Sequence, residues 1–232
     1  MSNLLKRILT GLVLGGIAIT GTILSSWGAF TLCTLVSVIG LYEFYQITGL
    51  KSKLAKSFFL LGTVFIWAAM GFELADDSSI VNGHHFYPFF KNHFVEVFAV
   101  LSSFGAILLL FEKKVKKPAQ EMGLMVMGIA YVVLPMILYF KIPFMTKWSE
   151  YGFEGFLGIL FLTWSVDTAA YFGGRFLGKH KLWERISPKK TWEGSVSGAI
   201  ACIGLSVGLN YLWPVDFNWI VVGVIIAAVS YT

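Results

Sequence analysis

Charged residues are what this sequence lacks most. Only 13% of its 232 residues are Asp, Glu, Lys or Arg, while 56% are hydrophobic. A soluble domain usually carries about 25% charged residues. Half that density leaves too little polar surface to face water, which excludes an ordinary soluble globular domain. Lipid is therefore the expected solvent for much of the chain.

Cysteine is also scarce, and the common phosphate-loop and hydrolase motifs are missing. The two cysteines, Cys33 and Cys202, both lie in apolar stretches. This placement excludes a disulfide framework and a cysteine-based metal site. No Walker-type phosphate loop and no nucleophile–base motif of the hydrolases occurs in the sequence, so any chemistry must rest on other residues.

Long apolar stretches are what the sequence has instead. A helix needs about 20 mostly apolar residues to cross the hydrocarbon layer. The sequence predicts an all-α, polytopic membrane helix bundle of about eight transmembrane helices, forming a single domain over 1–232. The predicted spans are 8–24, 27–45, 57–72, 95–111, 124–140, 156–172, 194–213 and 217–232.

The positions of the cations predict the orientation of these spans. With a cytoplasmic N-terminus, every Lys and Arg except Lys91, Lys141 and Lys147 falls on the cytoplasmic side. Cytoplasmic loops of membrane proteins carry this excess of cations. We therefore expect both ends of the chain, and its active face, on the cytoplasmic side of the membrane.

One segment, 162–198, concentrates the polar residues. It contains Asp167, the only carboxylate well inside a predicted span, about 8 Å from the cytoplasmic end. An ionised carboxylate there needs a cation, a metal or a polar cavity. Thr163, Asp167 and Tyr171 share one helix face, with Arg175 just beyond, and this predicts a polar groove open to the cytoplasm. The alternative is an internal salt bridge between Asp167 and a neighbouring helix.

The connection 173–193 is the longest and most basic on the cytoplasmic side, and it is the predicted substrate loop. Within it, Ser187 and Pro188 resemble an N-cap and a first helical residue. That start places Lys189 and Lys190 beside the positive end of a helix dipole, where cations are disfavoured. A polyphosphate bound at the helix terminus removes the conflict. The alternative is a basic cluster near anionic lipid headgroups.

Two further carboxylates, Glu43 and Glu193, lie at the cytoplasmic ends of predicted spans two and seven. Each either helps to hold a metal ion or pairs with a lysine of the basic loops. Together the polar residues indicate a phosphate-bearing ligand at the membrane surface. An enzyme that joins a phosphate substrate to a lipid with Mg²⁺ fits this pattern. A transporter fits less well, because transporters usually repeat such a motif in two halves.

The segment from Ser165 onwards carries a resemblance to a known family. The run S-V-D-T-A-A-Y-F-G-G-R-F-L-G-K-H-K-L, followed by I-S-P-K-K-T-W-E-G, closely resembles the bacterial phosphatidate cytidylyltransferase (CDP-diacylglycerol synthase) family. The run L-Y-E-F-Y at 41–45 is similar to the family's second-span motif. The resemblance implies transfer of CMP from CTP to phosphatidate, with pyrophosphate released, in phospholipid biosynthesis. It also implies a multi-pass protein of the cell inner (cytoplasmic) membrane.

The resemblance further implies a set of site residues and partners. The expected catalytic residues are Asp167, Lys190 and Glu193. The expected substrate-binding residues are Arg175, Lys179, Lys181, Ser187, Lys189 and Thr191. Asp167 is expected to contact Mg²⁺, with further ligands beyond Thr232. The expected partners are CTP, phosphatidate and membrane lipids, but no nucleic acid, and a homodimer is left open.

The chain departs from the family at its C-terminal end. Family members carry a G-D-x-x-E-S stretch and a later G-H-G-G-x-x-D-R-x-D run, and neither occurs here. We therefore expect a fragment whose 232 residues are inactive alone, while the complete protein is the enzyme. Two other functions remain open at this point, a CTP-dependent lipid kinase and a transporter of phosphorylated solutes.

Overall fold

The protein was examined as a computed structural model that describes residues 3–76, 86–113, 115–145, 152–185, 187–213 and 215–230. In these ranges the chain is helical apart from one two-stranded hairpin. The chain divides into two compact units, Met1–Lys141 and Ile142–Thr232. The helices are α1 (Asn3–Leu24), α2 (Ser26–Ile47), α3 (Lys53–Asp76), α4 (Phe86–Phe111), α5 (Pro118–Gly128), a π-helical turn (Ile129–Val133), α6 (Leu134–Met145), α7 (Phe153–Phe176), α8 (Trp192–Leu212) and α9 (Trp219–Val229). The strands are β1 (Lys181–Trp183) and β2 (Ser187–Thr191).

The described helices agree with the predicted apolar stretches. Five are long and apolar enough to cross a membrane: Ser26–Ile47, Lys53–Gly71, Pro118–Ile142, Phe153–Phe176 and Trp192–Leu212. Shorter apolar helices cover Val13–Leu24, Ala99–Phe111 and Trp219–Val229. Because the lengths of the five longer helices suit the hydrocarbon layer, the prediction of a helical multi-pass membrane protein is confirmed. The count of about eight spans stays a prediction.

A carboxylate ties two connections of the first unit together. Both backbone amides at Lys51 and Ser52 donate to Glu121 Oε2, each at 3.2 Å. The turn between α2 and α3 therefore lies at the same end of this unit as the start of α5. Gly49 opens that turn with a φ of 69°, a conformation that glycine adopts at no steric cost. This contact supports the prediction that the two basic connections lie on the same side of the membrane.

The π-helical turn packs closely against α2. A Cβ at Gly128 would lie 2.9 Å from side-chain atoms of Leu41 and Tyr45, so glycine permits the close approach. The Tyr45 hydroxyl is buried and donates to the Met125 carbonyl at 3.1 Å. An extended turn disturbs the regular backbone pairing of a helix. Tyr45 thus supplies a donor beside the irregular turn.

Tyr45→Phe is expected to lower the free energy of unfolding by about 1 kcal/mol, because it removes one buried hydrogen bond. The measurement is thermal unfolding of the purified protein in detergent. The control is Tyr42→Phe, which removes a hydroxyl from a side chain that is 51% exposed. Equal thermal stability of the two variants would show that the Tyr45 hydroxyl contributes nothing.

The second unit is built on α7 and α8, with α9 packed beside them. Its core contains the buried side chains of Leu162, Val166, Cys202, Leu209, Trp219 and Ala227. The Trp219 ring lies against Gly158, where a Cβ would lie 2.1 Å from the ring. The Trp219 indole N–H donates to the Trp213 carbonyl at 2.8 Å. This packing holds α9 against α7 and α8, the two helices that carry parts of the polar segment.

The predicted helix start at Ser187 and Pro188 is wrong. Both residues lie in β2, which pairs antiparallel with β1, so Lys189 and Lys190 are in a strand and not in a first helical turn. Helix α8 begins four residues later. Thr191 has the extended φ of −129° and ψ of 154° of an N-cap, and its hydroxyl accepts from the Gly194 amide at 3.2 Å. Pairing of β2 with β1 therefore outweighs the local preference of Ser187 and Pro188 for a helix start.

Candidate anion-binding cleft

A cleft of about 390 Å³ opens in the second unit. Volumes of about 300–1,000 Å³ are typical of small-molecule sites. Helix α7, strand β2, the start of α8 and the end of α9 all contribute to its walls. The lining residues are Asp167, Ala170, Tyr171, Gly174, Arg175, Lys189, Lys190, Thr191, Gly194, Ser195 and Ser230.

The α7 wall carries an acid and a cation on one helix face. Asp167, Tyr171 and Arg175 follow each other at intervals of four residues, which places them in one line along the helix. Arg175 Nη1 donates to the Tyr171 hydroxyl at 3.3 Å. Asp167 is exposed and, among the described residues, forms no ion pair. The predicted stripe therefore lines the cleft from Asp167 onwards, whereas Thr163 is outside the lining and its hydroxyl donates to the Ile159 carbonyl. The alternative of an internal salt bridge has no support in the described part of the chain.

Helix α7 is longer than the sequence suggested. It continues to Phe176, whereas the predicted span ended at 172. Asp167 consequently lies about 13.5 Å from the end of the helix at 1.5 Å per residue. Gly173 and Gly174, expected in a loop, belong to its last turns. The cleft therefore lies along the side of α7 and not beyond its C-terminal end.

The opposite wall is the β1–β2 hairpin. Lys181 pairs with Thr191 and Trp183 pairs with Ser187, with a register shift between the two pairs. The shift leaves three residues of β2 opposite one residue of β1, as in a β-bulge. Two of those three, Lys189 and Lys190, line the cleft. The Lys181 ammonium group instead donates across the hairpin to the Pro188 carbonyl at 2.6 Å.

The start of α8 completes the cleft. Thr191 caps the helix, and the Ser195 hydroxyl donates back to the Thr191 carbonyl at 3.1 Å. The first backbone amides of a helix have no partner inside it, and they carry the positive end of its dipole. This helix terminus therefore adds to the positive potential of the two lysines beside it.

Thr191→Ala is expected to lower the free energy of unfolding by about 1 kcal/mol, because the N-cap hydrogen bond to Gly194 is lost. Thr191→Ser keeps a hydroxyl in the same place and is the matched control. Thermal unfolding in detergent measures both variants. If serine destabilised the protein as much as alanine, the loss would come from the missing methyl group and not from the cap.

Glycines bring α7 and α8 together at the floor of the cleft. A Cβ at Gly194 would lie 2.7 Å from the Ala170 carbonyl oxygen and 3.1 Å from backbone atoms of Gly174. A Cβ at Gly173 would lie 2.2 Å from the Ser197 hydroxyl oxygen. The two helix backbones therefore touch here, and small residues at such contacts are typical of membrane helix pairs.

Glu193 is outside the cleft lining and binds the loop before β1. The His180 amide donates to both of its carboxylate oxygens at 3.2 Å. His180 Nδ1 lies 2.7 Å from Glu193 Oε1. The Glu193 carboxylate is thus held by both the amide and the ring of His180. In the other direction, the Trp192 amide donates to the His180 carbonyl at 3.0 Å.

The structure places only some of the predicted site residues around the cleft. Those that line it are Asp167, Arg175, Lys189, Lys190 and Thr191, whereas Lys179, Lys181, Ser187 and Glu193 are outside the lining. Sequence reasoning missed two polar lining residues, Ser195 and Ser230. Ser195 follows Thr191 by one helical turn, which was an available signal. No sequence signal pointed to Ser230.

The charges of the lining decide what the cleft suits. Among the described lining residues, one carboxylate lies with one arginine and two lysines, a balance that favours a polyanion. The described residues contain no cluster of three or more His, Cys, Asp and Glu side chains. Mg²⁺ is usually held by one or two carboxylates together with substrate phosphates. The lining therefore fits Mg²⁺ that arrives with a phosphate ligand, with Asp167 as its protein contact.

The fold and the cleft define a multi-pass helical membrane protein with a basic cleft in its second unit. Comparison with known proteins makes the class specific, because the model of the cytidylyltransferase family matches residues 5–232. The chain belongs to the cytidylyltransferase family.

Several relatives of this chain are named as phosphatidate cytidylyltransferases. A phosphatidate cytidylyltransferase of Brucella suis biovar 1 (strain 1330) is 32% identical over 233 residues, covering 99% of this chain and 77% of the relative. One of Brucella abortus biovar 1 (strain 9-941) has the same identity and coverage. One of Staphylococcus aureus (strain COL) is 41% identical over 101 residues, covering 42% of this chain and 36% of the relative.

Proposed function

We propose that the protein is a phosphatidate cytidylyltransferase, which transfers CMP from CTP to phosphatidate in phospholipid biosynthesis. The observation that carries the proposal is the cleft, where Asp167 faces Arg175, Lys189 and Lys190 beside the start of α8. Two polyanionic reactants repel each other, and such a site offsets the repulsion. The names and coverage of the relatives support the same assignment.

The reaction joins a lipid phosphate to a nucleotide. A phosphate oxygen of phosphatidate attacks the α-phosphorus of CTP, and a new P–O bond forms. The bond between the α-phosphorus and the bridging oxygen of pyrophosphate breaks, and that oxygen keeps the electron pair. The products are CDP-diacylglycerol and pyrophosphate. Negative charge grows on the leaving pyrophosphate, and fixed cations that face it lower the barrier.

The lining residues divide this work between them. Lys189 and Lys190 on β2 bind the triphosphate and neutralise the leaving group. The positive end of the α8 dipole lies beside them and adds to the attraction for phosphate. Arg175, held by its bond to Tyr171, pairs with a phosphate from the α7 side.

Asp167 is the residue that would hold Mg²⁺ in this cleft. When bound, the ion neutralises phosphate charge and orients the reacting groups. The protein's own part is to keep the Asp167 carboxyl group exposed in the cleft, where no described residue forms an ion pair with it. Asp167 therefore remains available for a cation that enters with CTP.

The proposed topology follows from the distribution of cations. Eight spans with a cytoplasmic N-terminus put the cleft on the cytoplasmic side of the inner membrane, because the basic connections concentrate there. CTP then reaches the cleft from the cytoplasm, and phosphatidate reaches it from the bilayer. Both substrates meet at the membrane surface.

An assay with labelled nucleotide tests the proposed function. Membranes containing the full-length protein receive CTP labelled at the α-phosphate, phosphatidate and Mg²⁺. We expect the label in a lipid product, with one pyrophosphate released for each lipid labelled. Release of CDP with an unlabelled, newly phosphorylated lipid would identify a CTP-dependent lipid kinase. Unchanged CTP in a folded preparation that moves a phosphorylated solute would identify a transporter.

Lys190→Ala is expected to raise the KM for CTP about tenfold, because one hydrogen bond to a charged phosphate is lost. Steady-state kinetics with varied CTP measure the effect. Arg185→Ala is the control, because it removes a cation of the same hairpin that lies outside the cleft lining. An equal rise in both variants would show a general field effect rather than direct binding.

A further inference from the structure

The residues at the base of the hairpin form a closed set of contacts that the proposed reaction does not use. His180 precedes β1, and Glu193 follows β2. The carboxylate accepts from the His180 amide and lies 2.7 Å from the His180 ring. In the other direction, the Trp192 amide donates to the His180 carbonyl at 3.0 Å. Both ends of the hairpin are thereby joined.

Glu193 differs from an ordinary helix-capping acid. A capping-box acid sits three residues after the cap and reaches back to the amide of the cap residue itself. Glu193 sits two residues after the cap Thr191 and reaches a different segment, the loop that leaves α7. The bond therefore joins two parts of the chain and does more than complete one helix end.

The two side chains of the pair differ in their exposure to solvent. Glu193 is only 24% exposed, while His180 is 77% exposed. Neither lines the cleft. To reach a metal ion or substrate in the cleft, Glu193 would have to give up all three contacts with His180.

The hairpin gives these contacts a function. Lys189 and Lys190 lie on the strand whose last residue, Thr191, is adjacent to the clamped Trp192. Inside the hairpin, Lys181 holds the Pro188 carbonyl and so fixes the other end of the same lysine pair. The contacts between Glu193 and His180 at the base of the hairpin, and the bond from Lys181 to Pro188 nearer its turn, together fix the positions of the two lysines at the cleft.

We infer that Glu193 and His180 form a clamp that positions Lys189 and Lys190 for the triphosphate, and that Glu193 is a positioning residue. The inference rests on the proposed function for its kinetic readout. In this inference Glu193 acts by accepting hydrogen bonds from His180, and its negative charge does not act on the reacting atoms. His180, absent from the predicted site residues, is its partner.

Paired substitutions at Glu193 test the clamp. Glu193→Gln keeps an oxygen that accepts from the His180 amide, and Glu193→Ala removes it. In the full-length protein we expect Glu193→Ala to raise the KM for CTP about tenfold, and Glu193→Gln to raise it about threefold or less. We expect kcat to stay within about twofold of the starting value in both. Glu184→Gln is the control, because Glu184 is an exposed acid of the same hairpin.

Double substitution separates the clamp from direct catalysis. His180→Ala removes the ring contact but keeps the His180 amide. With His180→Ala already present, Glu193→Ala should therefore raise the KM for CTP by a smaller factor than it does alone, because the ring contact is already lost. A fall in kcat of about 100-fold in Glu193→Gln, equal to that in Glu193→Ala and undiminished with His180→Ala present, would overturn the inference. That pattern belongs to a carboxylate that acts by its charge on the reacting atoms.

A readout without turnover keeps this inference separate from the proposed function. Hydrogen exchange of the His180 and Trp192 amides is expected to rise about tenfold in Glu193→Ala, while α8 beyond its first turn stays protected. Unchanged exchange at both amides would overturn the clamp even in an active enzyme. Faster exchange in a protein that labels no lipid would sustain the clamp and reject the cytidylyltransferase.

Discussion

Asp167→Asn is expected to lower kcat for lipid labelling by about 100-fold or more, the scale on which a charged group acting on the transition state contributes. Asparagine keeps the shape of the side chain and one oxygen, but it removes the negative charge. Among the described residues of the cleft lining, this is the single carboxylate beside three cationic side chains. Its loss therefore removes the proposed contact for Mg²⁺ and leaves the cations unopposed. The assay is α-phosphate transfer from CTP to phosphatidate at saturating Mg²⁺.

The control for Asp167 is Asp216→Asn. Asp216 is exposed in the connection between α8 and α9 and is not part of the cleft lining. It removes the same charge from the same unit, so we expect unchanged kinetics. Thermal unfolding in detergent should show both variants folded. Full activity of Asp167→Asn would place the metal contact on another residue and would overturn the role given to Asp167.

Gly194→Ala is expected to lower the free energy of unfolding by about 1–3 kcal/mol, the usual effect of forcing an extra carbon into a packed contact. The added Cβ would lie 2.7 Å from the Ala170 carbonyl oxygen and 3.1 Å from the backbone of Gly174. These atoms belong to the α7 backbone, so no side-chain rotation relieves the clash. The helices must move apart, which widens the floor of the cleft. Thermal unfolding and the KM for CTP should therefore change together.

Gly204→Ala on the same helix is the matched control for Gly194. A Cβ at Gly204 meets no atom within 4 Å. Alanine is a better helix former than glycine by roughly 0.5–1 kcal/mol, so we expect no loss of stability and a small gain. The two substitutions have the same chemistry and opposite expected signs. If both variants were equally stable, the close approach of α7 and α8 would not be a constraint.

The helices were predictable because crossing a membrane requires a fixed apolar length. The stripe of Asp167, Tyr171 and Arg175 was predictable for a related reason, since residues four apart share one helix face. Neither inference needs knowledge of distant contacts. Hydropathy and helical periodicity therefore located one wall of the cleft directly from the sequence.

The hairpin was not predictable from local sequence. Ser187 and Pro188 have the chemistry of a helix start, but pairing with Lys181–Trp183 places them in a strand. The register shift then determines which lysines reach the cleft. Lys190 lines the cleft, whereas Lys181 donates to the Pro188 carbonyl, although the sequence predicted substrate contacts for both. Pairing depends on contacts across the hairpin, and composition does not encode them.

The position of the cleft along the chain has a consequence for how the protein is made. Every described lining residue lies between Asp167 and Ser230, so these walls of the cleft come from one stretch of the chain. Short separations lower the entropic cost of bringing such residues together. During synthesis, which proceeds from the N-terminus, the described walls of the cleft can meet only after the end of α9 has been made.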